Sequence, residues 1–194
     1  MNRARKSGWQ VAAAAVVLTF LCGAAASGNG FAQSRGRLVP RLYSSASFDS
    51  NLPARLLDAH NRARAAVGVP ALRWDPGLAV AASSYGPALA TLGRLQHSPR
   101  GNRPGQAENL WMGSRGAYTP EQMVSYWVDE RRQFRAGVFP AVTTTGNWAD
   151  VGHYSQMIWP STTAVGCAIH RSGGWDFLIC RYTPKGNVDG QRVG

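Results

Sequence analysis

Lysine is nearly absent from this 194-residue chain. Only Lys6 and Lys185 occur, and ten acidic residues face twenty-one lysines and arginines. The formal charge of +11 is therefore carried by arginine. Apart from Arg3 and Arg5, these arginines are scattered from Arg35 to Arg192, with no dense run and no interleaved aromatics. A specific nucleic-acid stripe is not expected from such a distribution, which reads as a solvated basic surface. Two hydrolase signatures are missing as well: there is no Gly-x-Ser-x-Gly elbow and no His-Glu-x-x-His pair. No internal repeat is visible, and cysteine is scarce, with three in all.

Long apolar runs are confined to the beginning. Arg3, Arg5 and Lys6 form a basic start, and Val11 to Ala26 is almost wholly apolar and ends in small residues. The pattern is that of a secretory signal over residues 1–32, with Gly30-Phe31-Ala32 as the cleavage site. An uncleaved anchor is the competing reading, because the run approaches the length needed to span a bilayer. Its alanine richness makes it weakly hydrophobic and favours cleavage. Bulky Leu21 stands before Cys22 and disfavours lipidation there. Cleavage takes away three basic residues and no acidic one, so +11 falls to +8. It leaves a secreted, extracellular or periplasmic chain with no membrane span. It also removes Cys22, and the surviving pair, Cys167 and Cys180, reads as one disulfide in an exported chain.

Residues 33–50 are Ser/Arg-rich without periodicity and read as a flexible arm; the ordered domain is expected over 51–194. Pro53 suits a first helical turn, and Leu56, Leu57, His60, Ala63, Arg64 and Val67 follow at helical spacing up to Gly68. A second helix starts at Asp75-Pro76, runs through Leu78, Ala82, Tyr85, Leu89 and Leu92, and closes at Gly93. Pro87 lies inside it and is expected to kink or divide it. A third begins at the capping box Thr119-Pro120-Glu121-Gln122. The segment from Ala164 to Thr183 changes to strand periodicity around Gly173-Gly174. If those glycines form a two-residue turn, Ser172 faces Trp175, and five further residues along each strand Cys167 faces Cys180. That offset is a non-hydrogen-bonded pair, with alpha carbons about 4.5 Å apart, within a disulfide's reach. Helices on a small sheet give an α+β class or an α-β-α sandwich.

Four histidines are candidates for chemistry. His60 sits on the first helix, where a structural hydrogen bond is the default. His170 is near the hairpin tip and is expected to be exposed. His97 opens a Gly/Pro-rich loop that ends at Glu108-Asn109-Leu110. His153 lies in the stretch DVGHYSQMIWP, where a core, proton-transfer or metal role is open. On the third helix Met123, Trp127, Glu130 and Phe134 share a face, so Glu130 is a carboxylate in an apolar stripe. Such a group needs a partner: an arginine such as Arg131 or Arg64, a cationic imidazole, a metal, or water at a cleft.

The motifs AHNRARAAVGVPALRWD, HS…AENLW, YWVDE, GHYSQMIW, VGCA and LICRYTPKGNV occur in the order and approximate spacing of the CAP superfamily. That group includes the cysteine-rich secretory proteins, antigen five and the plant pathogenesis-related class-one proteins. The resemblance covers about Leu56 to Gln191, and is greatest to the single-domain plant-like and bacterial branch. It implies a three-layer α-β-α sandwich with a small, mainly antiparallel sheet, acting as a monomer. It also implies a central cleft where two histidines and two glutamates meet. Matched motif by motif, these are His97, Glu108, Glu130 and His153. Three departures stand out: Ala107 replaces a usual glycine, Pro87 interrupts a usually continuous helix, and the family's other disulfides are missing.

The implied cluster suits a solvent-accessible divalent ion such as zinc, with His97 and His153 as direct ligands. Glu108 and Glu130 are expected behind them or bridged by water. A binding or effector module is the favoured reading, with sterol, fatty acid or another apolar molecule as partner. Trp111, Met112, Phe139 and Trp148 are candidates to line that ligand's groove. The alternative is a metal-dependent peptidase or esterase using Glu108, Glu130 and Ser155.

Overall fold

The computed structural model describes residues 51–194, so the expected leader and arm, 1–32 and 33–50, lie outside the described residues. Helix α1 (Leu52–Ala65) carries a proline in its first turn and buries Leu56, Ala59, His60, Ala63 and Arg64 along one stripe. A short strand β1 (Arg73–Trp74) leads into α2 (Pro76–Leu92). The Asp75 side chain accepts the Leu78 N–H at 3.1 Å, and Gly93 ends the helix in the left-handed region. Strand β2 (Ala107–Ser114) precedes α3 (Pro120–Asp129), whose start is the reciprocal box between Thr119 and Gln122. Then follow β3 (Gly137–Val138), α4 (Gly152–Met157), β4 (Ala164–Ser172), β5 (Trp175–Thr183) and β6 (Arg192–Val193).

The main sheet has the order β1-β4-β5-β2; only the β1–β4 pair is parallel, and β3 pairs with β6 separately. The hairpin register is the expected one: Ser172 opposes Trp175, and Cys167 opposes Cys180. The two cysteines form a disulfide with alpha carbons 4.1 Å apart.

Alternation along β5 divides the core into two layers. Phe177 and Ile179 pack with Leu110, Ala82 and Leu89, which places α2 on one face. Leu178, Cys180 and Tyr182 pack with Leu56, Met123, Trp127 and Met157, which places α1, α3 and α4 on the other. Each fully enclosed side chain of this size contributes about 1.5–3 kcal/mol. A third cluster, built on Phe139, Tyr154, Ile158 and Trp159, seats β3 and β6 against the end of α4. The result is the three-layer α-β-α sandwich. Among the described residues no helix is long and apolar enough to cross a membrane.

Two expectations are corrected. Helix α2 runs unbroken through Pro87. Ser83, whose carbonyl loses its partner there, is exposed together with Pro87, so water can replace the missing donor. His170 is half-buried, because Gly86 lets α2 approach it closely: a β-carbon added at Gly86 would stand 2.5 Å from the His170 side chain.

Candidate functional site

The site is assembled at the end of the sheet where β2 enters and β5 leaves. Neighbouring residues of β2 point to opposite faces, so Glu108 is turned toward the α2 layer and Asn109 toward the α1/α3 layer. One half of the site is built on each face.

On the α2 side, Glu108 opposes Arg181 across the strands and pairs with it at 3.0 Å. Its carboxylate also accepts from His97 Nδ1 (2.8 Å), the Ser98 N–H (2.9 Å) and the Ser98 hydroxyl (3.0 Å). Burial pushes this carboxyl upward, but the hydrogen bonds from His97 and Ser98 and the Arg181 charge outweigh it and hold it below the usual range. His97 itself stands on the loop after α2. Ala107 occupies an ordinary ladder position opposite Tyr182, so the replacement of glycine leaves the strand intact.

On the opposite side, α3 ends at Asp129 and Glu130 opens a 3-10 turn, Glu130–Arg132. The Glu130 carboxylate meets α4 with three bonds: His153 Nδ1 at 2.6 Å, and the His153 and Tyr154 N–H groups at 2.9 Å each. Among the described residues its ion pair is with His153 and not with an arginine. Arg64, one of the candidates for that role, instead donates to the carbonyls of Pro70, Met157, Trp159 and Thr162 and staples the end of α4 to α1. The His153 ring stacks on Trp127, with centroids 5.9 Å apart and planes 14° apart. Asn109 donates to the His153 carbonyl and to the Tyr182 hydroxyl, both at 3.1 Å.

The Tyr182 hydroxyl is 2.8 Å from His60 Nε2, and His60 Nδ1 lies 2.7 Å from the Leu56 carbonyl. A carbonyl can only accept, so Nδ1 carries the proton and Nε2 accepts from the tyrosine. His60 is thus a buried structural histidine. Its nitrogen and the two cysteine sulfurs lie within 4.8 Å of one another. The sulfurs are spent in the disulfide and both ring nitrogens are bonded, so this is core packing.

A cleft of about 810 Å³ opens between the halves and is lined by His97, Glu108, Asn109, His153 and Trp148 among others. Glu130 stands behind His153. Ser155 is fully buried, and its hydroxyl is engaged by Asn187 Oδ1 (2.7 Å) and the Gly152 carbonyl (3.2 Å). Of the four residues expected to line an apolar groove, three are packed inward. Trp111 and Phe139 are buried in the core clusters, Met112 packs under α2, and only Trp148 reaches the cleft.

Reading along the chain did not find Arg181, Ser98 or Asn109. A signal existed for Arg64, a cation within the apolar stripe of α1, and for Arg181, a cation between Cys180 and Tyr182 in a buried strand.

Comparison with known proteins agrees with this architecture. The family model described as "Cysteine-rich secretory protein family" (CAP) matches residues 57–182. A "Pathogenesis-related protein PR-1 type" of Sambucus nigra is 38% identical over 148 residues, covering 75% of this chain and 84% of the relative. "Pathogenesis-related protein 1B" of Nicotiana tabacum is also 38% identical, over 77% of this chain and 85% of its own length. Among solved structures, "NaASP2 with Zn2+" superposes with a TM-score of 0.64 at 22% identity, over 77% of this chain and 87% of the other. This chain therefore belongs to the CAP, or cysteine-rich secretory protein, family.

Proposed function

We propose that this protein is a secreted binding module whose cleft holds a divalent ion, zinc for preference, on Nε2 of His97 and His153. One observation carries the reading: each imidazole gives its Nδ1 to a carboxylate, His97 to Glu108 and His153 to Glu130. A carboxylate in that position holds the proton on Nδ1, leaves Nε2 as the lone-pair atom and raises its basicity, which is how ligating histidines are oriented. Among the described residues neither Nε2 makes a protein hydrogen bond. Two imidazole donors facing open solvent suit a borderline-soft ion with water in its remaining positions. When bound, the ion would supply a Lewis acid toward an oxygen of the ligand.

The similar NaASP2 structure was solved with Zn2+, which supports the choice of ion, and the pathogenesis-related names of the plant relatives support an extracellular, defence-related role. Binding is favoured over turnover, because the Ser155 hydroxyl is buried and already engaged by Asn187 and the Gly152 carbonyl. An apolar ligand is a second reading with its own support. A groove of about 240 Å³ lies between α1 and α3, lined by Ala59, Ala63, Val124 and Val128 beside Arg62 and Arg131. Its size suits a single acyl chain better than a sterol.

Titration calorimetry with zinc tests the primary reading. Purified protein should bind one ion, and His97→Ala or His153→Ala should each lower the affinity about 100-fold or abolish it. Unchanged affinity in both variants would overturn the site.

A further inference from the structure

The cleft is unevenly charged. Arg100, in the 3-10 turn Arg100–Asn102, and Lys185, in the loop after β5, both line it and are exposed. Neither is paired with a carboxylate among the described residues. Arg103 also lines the cleft, but its guanidinium donates to the Ser98 and Gln106 carbonyls at 3.2 Å each and serves as a brace. Of the two lining acids, Glu108 is fully enclosed and matched by Arg181, which leaves Asp189 as the single exposed negative group of the lining. Unmatched cations lining a cleft focus a positive potential there, and a bound divalent ion would strengthen it.

Trp148 adds a second feature. It lines the cleft and is 46% exposed, so its ring is available to a ligand. The indole is nevertheless fixed. It meets Phe139 edge-on with centroids 5.3 Å apart, and it covers Gly152, where an added β-carbon would stand 3.1 Å from the ring. A rigid flat apolar face thus adjoins the start of α4, the helix that carries His153.

We infer that the cleft takes an acidic oligosaccharide, with a sugar carboxylate or comparable oxyanion drawn to Arg100 and Lys185 and a sugar ring laid on Trp148. The inference shares the cleft of the function proposed above but uses none of the ion-holding atoms. The volume of about 810 Å³ exceeds what one ion needs and lies in the range of organic ligands. A lipid would have to desolvate both cations. A peptide would look for pockets for apolar side chains, and apart from Trp148 the apolar lining is short: Pro104, Ala107, Ala149 and Val188.

Trigalacturonate serves as the probe, measured by calorimetry on the metal-free protein in EDTA. Maltotriose, inorganic phosphate and tri-aspartate are the comparisons. Trigalacturonate should bind, with maltotriose about tenfold or more weaker, and the affinity should fall as salt rises from about 0.15 to about 0.5 M. The double variant Arg100→Glu/Lys185→Glu should lose about tenfold or more. Trp148→Ala should lose a comparable factor, with thermal melts confirming that each variant is folded. Equal binding of the neutral and acidic trisaccharides, no binding of either, or indifference to both variants overturns the inference. Phosphate binding as tightly as the trisaccharide reduces the cleft to an ion site and also overturns it, as does tighter binding of tri-aspartate. Because the readout is in EDTA, failure of zinc to bind leaves this result standing, and failure of the trisaccharide leaves the zinc site standing.

Discussion

The two halves of the cleft use the same pair of residues but fix opposite members. In the His153–Glu130 half the imidazole side chain is 33% exposed, stacked on Trp127 and carried by a stapled helix. In the His97–Glu108 half the imidazole is 55% exposed on a loop, while the carboxylate is completely enclosed and tied to Arg181 and Ser98. In the ion site proposed above, one ligand would be set in advance and the other could adjust. That suits a modest-affinity ion whose coordination is completed by a bound ligand.

The largest test of this asymmetry removes a staple. Arg64→Met leaves the Pro70, Met157, Trp159 and Thr162 carbonyls without their buried donor. A loss of about 3–5 kcal/mol in denaturant unfolding is expected: the Trp159 carbonyl keeps the Thr162 N–H and Pro70 is exposed, but the Met157 and Thr162 carbonyls lose their buried donor at about 1–3 kcal/mol each. Zinc binding should weaken with it, as α4 is freed.

A smaller effect separates the core histidine from the two in the cleft. Burial, reinforced by the Arg64 charge and only partly offset by the Leu56 hydrogen bond, lowers His60 to about 4. The unfolded chain titrates this group near 6.5, so between those values the unfolded state binds the extra proton. Its contribution is fully present above about pH 6.5 and is lost as pH falls toward 4, by about 3 kcal/mol in total. Unfolding curves across this window should show that slope, and His60→Gln should flatten it.

Glutamine at the two glutamate positions sharpens the comparison furthest for the least change in size. Glu130→Gln should lower zinc affinity about 10- to 100-fold with little change in melting, because it withdraws the anion behind a fixed imidazole. Glu108→Gln should appear first in stability, because it strands the enclosed Arg181 guanidinium without its counter-charge. Equal profiles from the two variants would contradict the division of roles.

Much of the scaffold was legible in the chain because it is fixed by local chemistry. The Gly173-Gly174 turn and strand parity gave the Cys167–Cys180 register, and Asp75, Gly93 and Thr119 marked helix ends by caps that act within four residues. The two histidine–glutamate pairs were legible differently: Glu130 from its place on an apolar face, the others through family motifs. Arg181 carried a signal as a cation in a buried strand, but its partner depends on which strand lies beside β2; Ser98 and Asn109 gave no local signal, because their bonds to Glu108 and to the His153 carbonyl join segments far apart in the chain. Pro87 misled for a related reason. The penalty for an unpaired carbonyl depends on whether water reaches it, and exposure is a tertiary property.

Diffraction from zinc-soaked crystals, recorded at the zinc absorption edge, tests the central claim most directly. One anomalous peak is expected in the cleft about 2.0–2.1 Å from Nε2 of both His97 and His153, with Glu108 and Glu130 still on the Nδ1 atoms. A cleft without such a peak, or a peak bound to only one of the two rings, would contradict it.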